Sequence, residues 1–376
     1  MTPSLRHGLI AALLAGAPLA LTAVSVPAAA QALSPAVGNQ LKRAQQLRSG
    51  AAAIGAVNAA RAAAKTPAER TKVSQMAAYV YSNSGQYAQA AHELESVGAG
   101  PRQLAPYYYR AGQYDRAIEL AKRAGGPDMQ VLVAQSYIKK GDKRGAANVY
   151  KQLIHTSGPR IDWLGNLASL QFSYDKPGYL NTVRQIIKID PSPARYKTLL
   201  VSLKNENMSD QARLVLFQLM RQTGNLTEPA DVQEMGKLAI INGLPGVALG
   251  AVQEAQKANV VGAGDPMTAK LIQVSSQQSA AALAQAPRQP ATPAGRMAAG
   301  NAYFGANQYP QAIQAYSAVV ASGAPMADEA RVLQGVALVR AGNANGARAA
   351  FDAVTKGSPF FDVAQLWSLY ASTHRA

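Results

Sequence analysis

Short apolar stretches alternate with polar turns along the whole chain, and their spacing is that of α-helices. The last stretch, about 360–372, carries Val363, Leu366, Trp367 and Tyr370 three or four positions apart, so one face of this helix is apolar and can cover the element before it. Glycine, asparagine and proline interrupt the stretches at short intervals. Strands are not evident anywhere, so the pattern predicts an all-α protein made of many short helices.

A six-residue phrase marks many of the turns between these helices. It begins with Gly or Asn, ends with Ala, and occupies residues 85–90, 112–117, 141–146, 307–312 and 342–347. Four positions before each copy stands a large side chain predicted to pack inside, namely Tyr81, Tyr108, Tyr137, Tyr303 and Leu338. Gly or Asn suits a residue with positive φ just past a helix end, and the small alanine allows two helices to approach closely. The phrase therefore predicts a repeated helix–turn–helix hairpin.

These hairpins resemble the tetratricopeptide repeat. The fullest match is the last unit, with Gly335, Leu338, Gly342, Ala347, Phe351 and Pro359. Other units are marked by Gly300, Tyr303, Ala312 and Tyr316, and by Gly236, Gly243, Ala248 and Ala255. Two weaker units centre on Asp175 and Asn207, where the turn glycine is lost. The resemblance implies a right-handed α-solenoid of stacked helical hairpins, and the competing interpretation is an ordinary helical bundle.

Composition divides the chain into four segments. Residues 33–285 are predicted to form an N-terminal helical array and residues 296–376 a C-terminal pair of repeats with its capping helix. Between them, residues 286–295 hold Pro287, Pro290 and Pro293 among Ala, Gln and Thr, which predicts either a linker or a surface loop.

The first 32 residues have the pattern of a cleavable secretory signal. A basic start at Arg6 precedes an apolar run, and Ala30-Gln-Ala32 forms a small-residue cleavage site. Cleavage near Ala32 would release a periplasmic protein; the alternative is a retained membrane anchor. No later segment is apolar enough to span a membrane, and the absence of cysteine excludes disulfides and a lipid-modified cysteine.

The formal net charge is +16, and much of the excess lies in the first mature helices. The residues concerned are Lys42, Arg43, Arg48, Arg61, Lys65, Arg70 and Lys72, against Glu69. For an exported protein, an acidic protein, surface or polymer is a more fitting partner than nucleic acid. A merely solubilising charge would give the same composition.

The sequence lacks the motifs of common active sites. It contains no His-Glu-x-x-His, no phosphate-binding P-loop and no Gly-x-Ser-x-Gly elbow, and its four histidines are scattered. We therefore expect no enzyme activity, no cofactor and no metal site.

The inner face of a repeat array is the expected binding surface. Basic residues two positions before a turn glycine are predicted to face this groove, together with polar and aromatic neighbours. The candidates are Arg102, Tyr109, Arg110, Gln135, Lys139, Asn301, Phe304 and Arg340. Arg and Tyr often anchor protein interfaces, although the same residues could simply solvate one face of the array.

A narrower resemblance connects the chain to exported bacterial tetratricopeptide proteins encoded beside TonB–ExbB–ExbD systems. It rests on Trp163–Ala168 leading to Asp190-Pro191, on Leu226–Ala248, and on the ending Ala350–Tyr370. The resemblance implies a periplasmic scaffold that binds proteins, with a TonB-system component as a candidate partner in outer-membrane transport. The alternative is a repeat scaffold in envelope biogenesis or polysaccharide export that binds an acidic protein or polymer.

Overall fold

The computed structural model describes residues 33–374 except Asn205 and Ala263. Across these residues it contains twenty α-helices, one turn of 3-10 helix and no strand, so the predicted all-α fold is confirmed. Proline opens many of the helices, where its missing N–H removes no hydrogen bond. The predicted signal, residues 1–32, lies outside the described residues.

The chain divides into two compact units, Met1–Thr182 and Val183–Ala376, with the boundary inside the tenth helix. The helices of the first unit are α1 (Pro35–Leu47), α2 (Gly50–Ala63), α3 (Pro67–Asn83), α4 (Tyr87–Ser96), α5 (Pro101–Arg110), α6 (Tyr114–Ala124), α7 (Pro127–Lys139), α8 (Lys143–Ser157), α9 (Ile161–Gln171) and the start of α10 (Lys176–Ile189). Those of the second unit are the rest of α10, then α11 (Pro193–Lys204), α12 (Asp210–Gln222), α13 (Pro229–Ile241), α14 (Pro245–Lys257), α15 (Pro266–Gln285), α16 (Pro293–Gly305), α17 (Tyr309–Ala321), α18 (Ala327–Arg340), α19 (Ala344–Asp352) and α20 (Phe361–Thr373).

The recurring phrase forms the turn of each hairpin as the sequence predicted. Its first residue has positive φ in every copy: Gly85 (74°), Gly112 (77°), Gly141 (81°), Asn307 (61°) and Gly342 (79°). The next residue donates its backbone N–H to the carbonyl of the large residue five positions earlier, for example Gln86 to Tyr81 at 2.8 Å and Asn343 to Leu338 at 2.8 Å. This 6→1 bond is the Schellman closure of a helix end. It fixes the direction in which the second helix leaves the turn.

Small residues inside the hairpins allow close packing of the paired helices. The closing alanines of the phrase are fully buried at Ala90, Ala117, Ala146, Ala312 and Ala347. On the facing helix, a Cβ placed on Gly335 would lie 2.4 Å from Phe351 Cε1, and one on Gly300 would lie 2.6 Å from Tyr316 Cε1. Glycine is therefore required at these two positions for steric reasons, since the aromatic ring occupies the space that a side chain would fill.

The central hairpins form without a turn glycine. From 159 to 223, no described residue has positive φ. At the α9–α10 turn, the Asp175 carboxylate accepts a hydrogen bond from the Gly178 backbone N–H at 3.0 Å, and the Gln171 amide donates to it at 3.3 Å. Helix α10 thus begins with a side-chain cap like those of Asp142 and Asn343, but without the positive-φ glycine that precedes those two residues.

The proline-rich segment between α15 and α16 is short and partly ordered into regular structure. Ala286–Arg288 forms one 3-10 turn, and α16 already begins at Pro293. Helices α15 and α16 pack against each other, and α16 also packs against α14. The role of residues 286–295 as a linker stays a prediction.

The final helix is buried along the predicted apolar face. Val363, Leu366, Trp367 and Tyr370 are all at most 9% exposed. Helix α20 packs on α19, as a cap on the last repeat does, and also contacts α12 and α18. The tyrosines predicted to pack inside do so as well: Tyr81, Tyr108, Tyr137 and Tyr303 lie against the buried clusters of their hairpins.

Candidate functional site

In the first unit, Arg110 stacks on the neighbouring hairpin. Its guanidinium carbon lies 5.6 Å from the centre of the Tyr87 ring, at the start of α4. Tyr109 is half-buried, its ring lies edge-on to Tyr114 at 5.8 Å, and burial raises the pKa of its phenol. Arg102 pairs with Asp128 and donates to the Gly125 carbonyl at 2.7 Å. These contacts order the side chains before any partner binds.

The next hairpin presents further basic side chains at its turn. Lys139 is exposed at the end of α7, while Gln135, one turn earlier, is half-buried. Lys140 pairs with Asp115 of the preceding hairpin. Arg144, at the start of α8, lies 5.6 Å from the centre of the Tyr174 ring, which is 38% exposed at the α9–α10 turn.

Direct contacts therefore connect the turns of four consecutive hairpins into one surface. We call it the basic turn edge and define it by Tyr87, Arg110, Lys139, Arg144 and Tyr174. The sequence identified Arg110 and Lys139 but missed Arg144 and the two aromatic partners. The pairings run between hairpins, which periodicity within one hairpin does not reveal.

The second unit contains a cavity of about 320 Å³. Side chains from α12, α14 and α18 and from the α16–α17 turn line it, so it lies within the stack of hairpins. The lining residues are Gln218, Arg221, Gly246, Val247, Gly250, Gln253, Glu254, Lys257, Phe304, Gly305, Asn307, Tyr309 and Arg340.

Three basic residues and one acidic residue line the cavity: Arg221, Lys257, Arg340 and Glu254. Arg221 forms a bidentate salt bridge with Glu254 in the cavity wall. Its Nε donates to Glu254 Oε2 at 2.7 Å, and its Nη2 donates to Oε1. Gly250 makes room for this pair, since a Cβ there would lie 3.2 Å from Arg221 Nη2. Burial lowers the pKa of the Arg340 guanidinium, and the charge of Arg221 lowers it further. Arg340 nevertheless stays protonated at physiological pH.

The remaining walls are aromatic and glycine-lined. Phe304 is 4% exposed, and its ring lies edge-on to Tyr309 at 6.0 Å. Gly246 and Gly305 bring α14 and α16 into backbone contact, because a Cβ on Gly246 would lie 2.7 Å from the Gly305 backbone. The cavity thus depends on glycines outside the turn phrase, and these glycines were the available sequence signal for it.

Asn301 does not face a groove. It is 7% exposed, and its Oδ1 accepts a hydrogen bond from the Tyr316 hydroxyl at 2.9 Å inside the α16–α17 hairpin. Its predicted place in a binding groove is wrong, because this buried bond uses its side chain for packing. Of the other predicted groove residues, Phe304 and Arg340 line the cavity, while Arg102, Tyr109, Arg110, Gln135 and Lys139 belong to the first unit.

Groups of acidic or imidazole side chains that could hold a metal ion do not occur among the described residues. In the same part of the chain, no helix is long and apolar enough to cross a membrane.

Comparison with known families identifies the repeat type at the C-terminal end. Residues 297–360 match the family model described as a tetratricopeptide repeat. The match spans the hairpins α16–α17 and α18–α19, and the Schellman bond that closes their turns recurs at Gln86, Gln113 and Asp142. The tetratricopeptide pattern is therefore shown for residues 297–360, which the structure folds into two consecutive hairpins.

No curated protein matches the sequence. Among solved structures, the P58(IPK) TPR domain aligns at 15% identity, covering 89% of this chain and 78% of that one, with a TM-score of 0.24. PilW, a type IV pilus biogenesis factor, aligns at 13% identity over 64% of this chain and 97% of its own, with a TM-score of 0.21. A tetratricopeptide repeat protein from Parabacteroides merdae aligns at 12% identity over 81% and 99%, with a TM-score of 0.23. Such low TM-scores support no statement about function.

Proposed function

We propose that this protein is a non-enzymatic tetratricopeptide-repeat adaptor that binds an acidic protein partner through the basic turn edge of its first unit. The observation that carries the proposal is the pair of stacked contacts, Arg110 on Tyr87 and Arg144 on Tyr174, which place cations and aromatic rings together on exposed turns. Arg and Tyr are enriched among the side chains that dominate binding energy.

Preordering strengthens the case for this surface. A long basic side chain loses rotamer entropy when a partner immobilises it. Arg110 and Arg144 already rest on aromatic rings, so part of that loss has occurred during folding. The exposed Lys139, at the end of α7, adds positive charge and would speed the approach of an acidic surface.

We also propose that the protein acts in the periplasm, after removal of residues 1–32. The support is the order of basic start, apolar run and Ala30-Gln-Ala32 in the sequence. Intact-mass measurement of the protein recovered from cell fractions tests this directly. A mature chain that begins at Leu33 in the periplasmic fraction is expected, and a full-length chain in the membrane fraction would overturn it.

The partner we propose is a component of a TonB–ExbB–ExbD system, on the narrower sequence resemblance. The other candidate is an acidic protein or polymer of envelope biogenesis or polysaccharide export, which the basic charge of the chain favours. Crosslinking in intact cells, followed by capture and mass spectrometry of envelope extracts, separates them. Capture of an envelope-assembly protein without any TonB-system component would favour the second.

Charge reversal tests the binding surface. We expect Arg110→Glu combined with Lys139→Glu to lose most of the captured partner. The matched control is Lys237→Glu with Lys270→Glu, two exposed lysines of the second unit that give the same change in net charge. Equal capture by the two double variants would show that net charge, and not the basic turn edge, holds the partner.

Turnover of an envelope polymer by the purified protein would contradict the non-enzymatic role.

A further inference from the structure

The cavity of the second unit holds more positive than negative charge. Glu254 pairs with Arg221 and its charge also acts on Arg340, but it is one carboxylate against three basic residues in the cavity wall. Arg340 also lines the cavity, yet within the described part of the chain its guanidinium takes part in no salt bridge or hydrogen bond. Lys257, exposed at the end of α14, adds a solvated positive charge.

A buried donor in the same cavity also lacks a partner. Gln218 on α12 is 2% exposed, and its Nε2 has no hydrogen-bond acceptor among the described residues. An unsatisfied buried amide is costly, so such groups are rare in folded proteins unless a ligand or water completes them. The cavity therefore combines an unneutralised cation with an unused donor.

The size and walls of the cavity suit a small polar ligand with one flat side. Its volume of about 320 Å³ lies at the lower end of the range for small-molecule sites. Phe304 and Tyr309 supply an aromatic wall, and Gly246, Gly250 and Gly305 keep side chains out of the space. The glycine contacts suggest that the space is built into the helix packing.

We propose that this cavity is a binding site for a carboxylate-bearing ligand, with Arg340 supplying the charge and Gln218 the second donor. A planar guanidinium matches a carboxylate with two parallel hydrogen bonds. A singly charged carboxylate also fits one unneutralised, partly buried cation better than a phosphate, which carries nearly two negative charges at neutral pH. This site goes beyond protein binding at the basic turn edge and does not depend on it.

The carboxylate can belong to a free small molecule or to the acidic side chain of a peptide. Calorimetric titration of the purified full-length chain distinguishes the sources, with benzoate, a glutamate-rich octapeptide and inorganic phosphate as separate probes. Saturable binding of benzoate alone identifies a small-molecule site, and binding of the peptide alone identifies an acidic segment. Either result supports the proposal, as does binding of both.

Two substitutions test the assigned residues, and a third serves as the control. Arg340→Gln should weaken carboxylate binding about tenfold or more, the scale for losing a charge-assisted hydrogen bond. Gln218→Met should weaken binding several-fold while raising the unfolding temperature, because it removes the unsatisfied amide at nearly constant volume. A purely structural glutamine would not give these opposite changes. Arg348→Gln, at a half-buried arginine of α19 outside the cavity, should bind as the parent does.

Three outcomes would overturn the proposal: no saturable carboxylate binding at millimolar concentrations, unchanged binding in Arg340→Gln, or Arg340-dependent binding of phosphate alone. Should Arg340→Gln fail to fold, Arg340→Lys provides the second measurement. Lysine keeps the positive charge but lacks the planar guanidinium that donates two parallel hydrogen bonds. We therefore expect several-fold weaker carboxylate binding. Parent-like binding in this lysine variant would equally count against the assigned role.

Discussion

The indole Nε1 of Trp367 donates a hydrogen bond to the backbone carbonyl of Val215 at 3.1 Å. The two residues are 152 positions apart, and the bond ties the last helix, α20, to α12 near the start of the second unit. The same indole is fully buried and stacks on Phe351 at 5.9 Å. Helix α20 therefore links the end of the repeat stack to an earlier element in addition to covering its last hairpin.

Shortening this side chain should weaken the second unit. We expect Trp367→Phe to lower the free energy of unfolding by about 1–2 kcal/mol through the lost hydrogen bond, and Trp367→Ala to lower it by about 3–5 kcal/mol through the cavity left behind. Urea denaturation followed by circular dichroism measures both. The control is Trp163→Phe in the first unit, where the indole lies under Arg160 at 4.8 Å. Equal midpoints for parent and Trp367→Ala would contradict the bridging role.

The packing glycine of the last hairpin gives a second prediction. Gly335→Ala would place a Cβ 2.4 Å from Phe351 Cε1, and we expect a loss of about 1–3 kcal/mol from overpacking. Gly55→Ala is the matched control, because this glycine lies inside α2 with no atom within 4 Å of the added Cβ. It should stabilise the protein by about 0.5–1 kcal/mol through helix propensity.

A double variant shows whether the effect comes from the ring. Adding Phe351→Leu to Gly335→Ala should recover part of the loss, since the smaller side chain vacates the space that the Cβ enters. If the two substitutions were additive in thermal or chemical unfolding, the glycine would be required for a reason other than this contact.

Glu69 makes stability depend on acidic pH. Its carboxylate accepts hydrogen bonds from the Ser34 hydroxyl at 2.6 Å, the Ser34 backbone at 3.0 Å and the Lys65 backbone at 2.9 Å. These bonds, led by that from the Ser34 hydroxyl, lower the pKa of Glu69 from 4.5 to about 2. Because the folded state favours the ionised form, the stabilisation is present above about pH 4.5 and is lost as the pH falls towards 2.

The expected measurement is the free energy of unfolding between pH 2 and pH 6. The parent should lose stability over the lower part of this range, and Glu69→Gln should start from a lower value and lose less. Glu119→Gln, which removes an exposed carboxylate of α6 that pairs with Arg116, serves as the control. Parallel profiles for parent and Glu69→Gln would show that this carboxylate does not couple α1 to α3.

The two glycines of α14 should respond differently to the same substitution. Gly246→Ala places a Cβ 2.7 Å from the backbone of Gly305, which has no side chain to move aside. We expect this variant to separate α14 from α16 and to lose about 1–3 kcal/mol. Gly250→Ala meets only the mobile end of Arg221, at 3.2 Å, so its stability should change far less. Thermal unfolding of the two variants side by side tests this difference.

Local structure follows closely from the sequence. Gly or Asn at the turns, a large residue four positions earlier and an alanine five positions later depend on backbone conformation and nearest-neighbour packing, which a short stretch of sequence encodes. For the same reason the hairpin at Asp175 was a weaker match in the sequence, since its turn lacks the recognisable positive-φ glycine.

The candidate sites depended on contacts between distant parts of the chain. The sequence singled out Arg110, Lys139 and Arg340 from their positions before turns, but it could not pair Arg110 with Tyr87 or place Gln218 in the same cavity as Arg340. It also took Asn301 for a groove residue, although Tyr316 holds it inside a hairpin. Helical periodicity states which residues share a face of one helix. Only the tertiary packing of hairpins decides which faces meet, which glycines leave a cavity between them, and which charges remain without a partner.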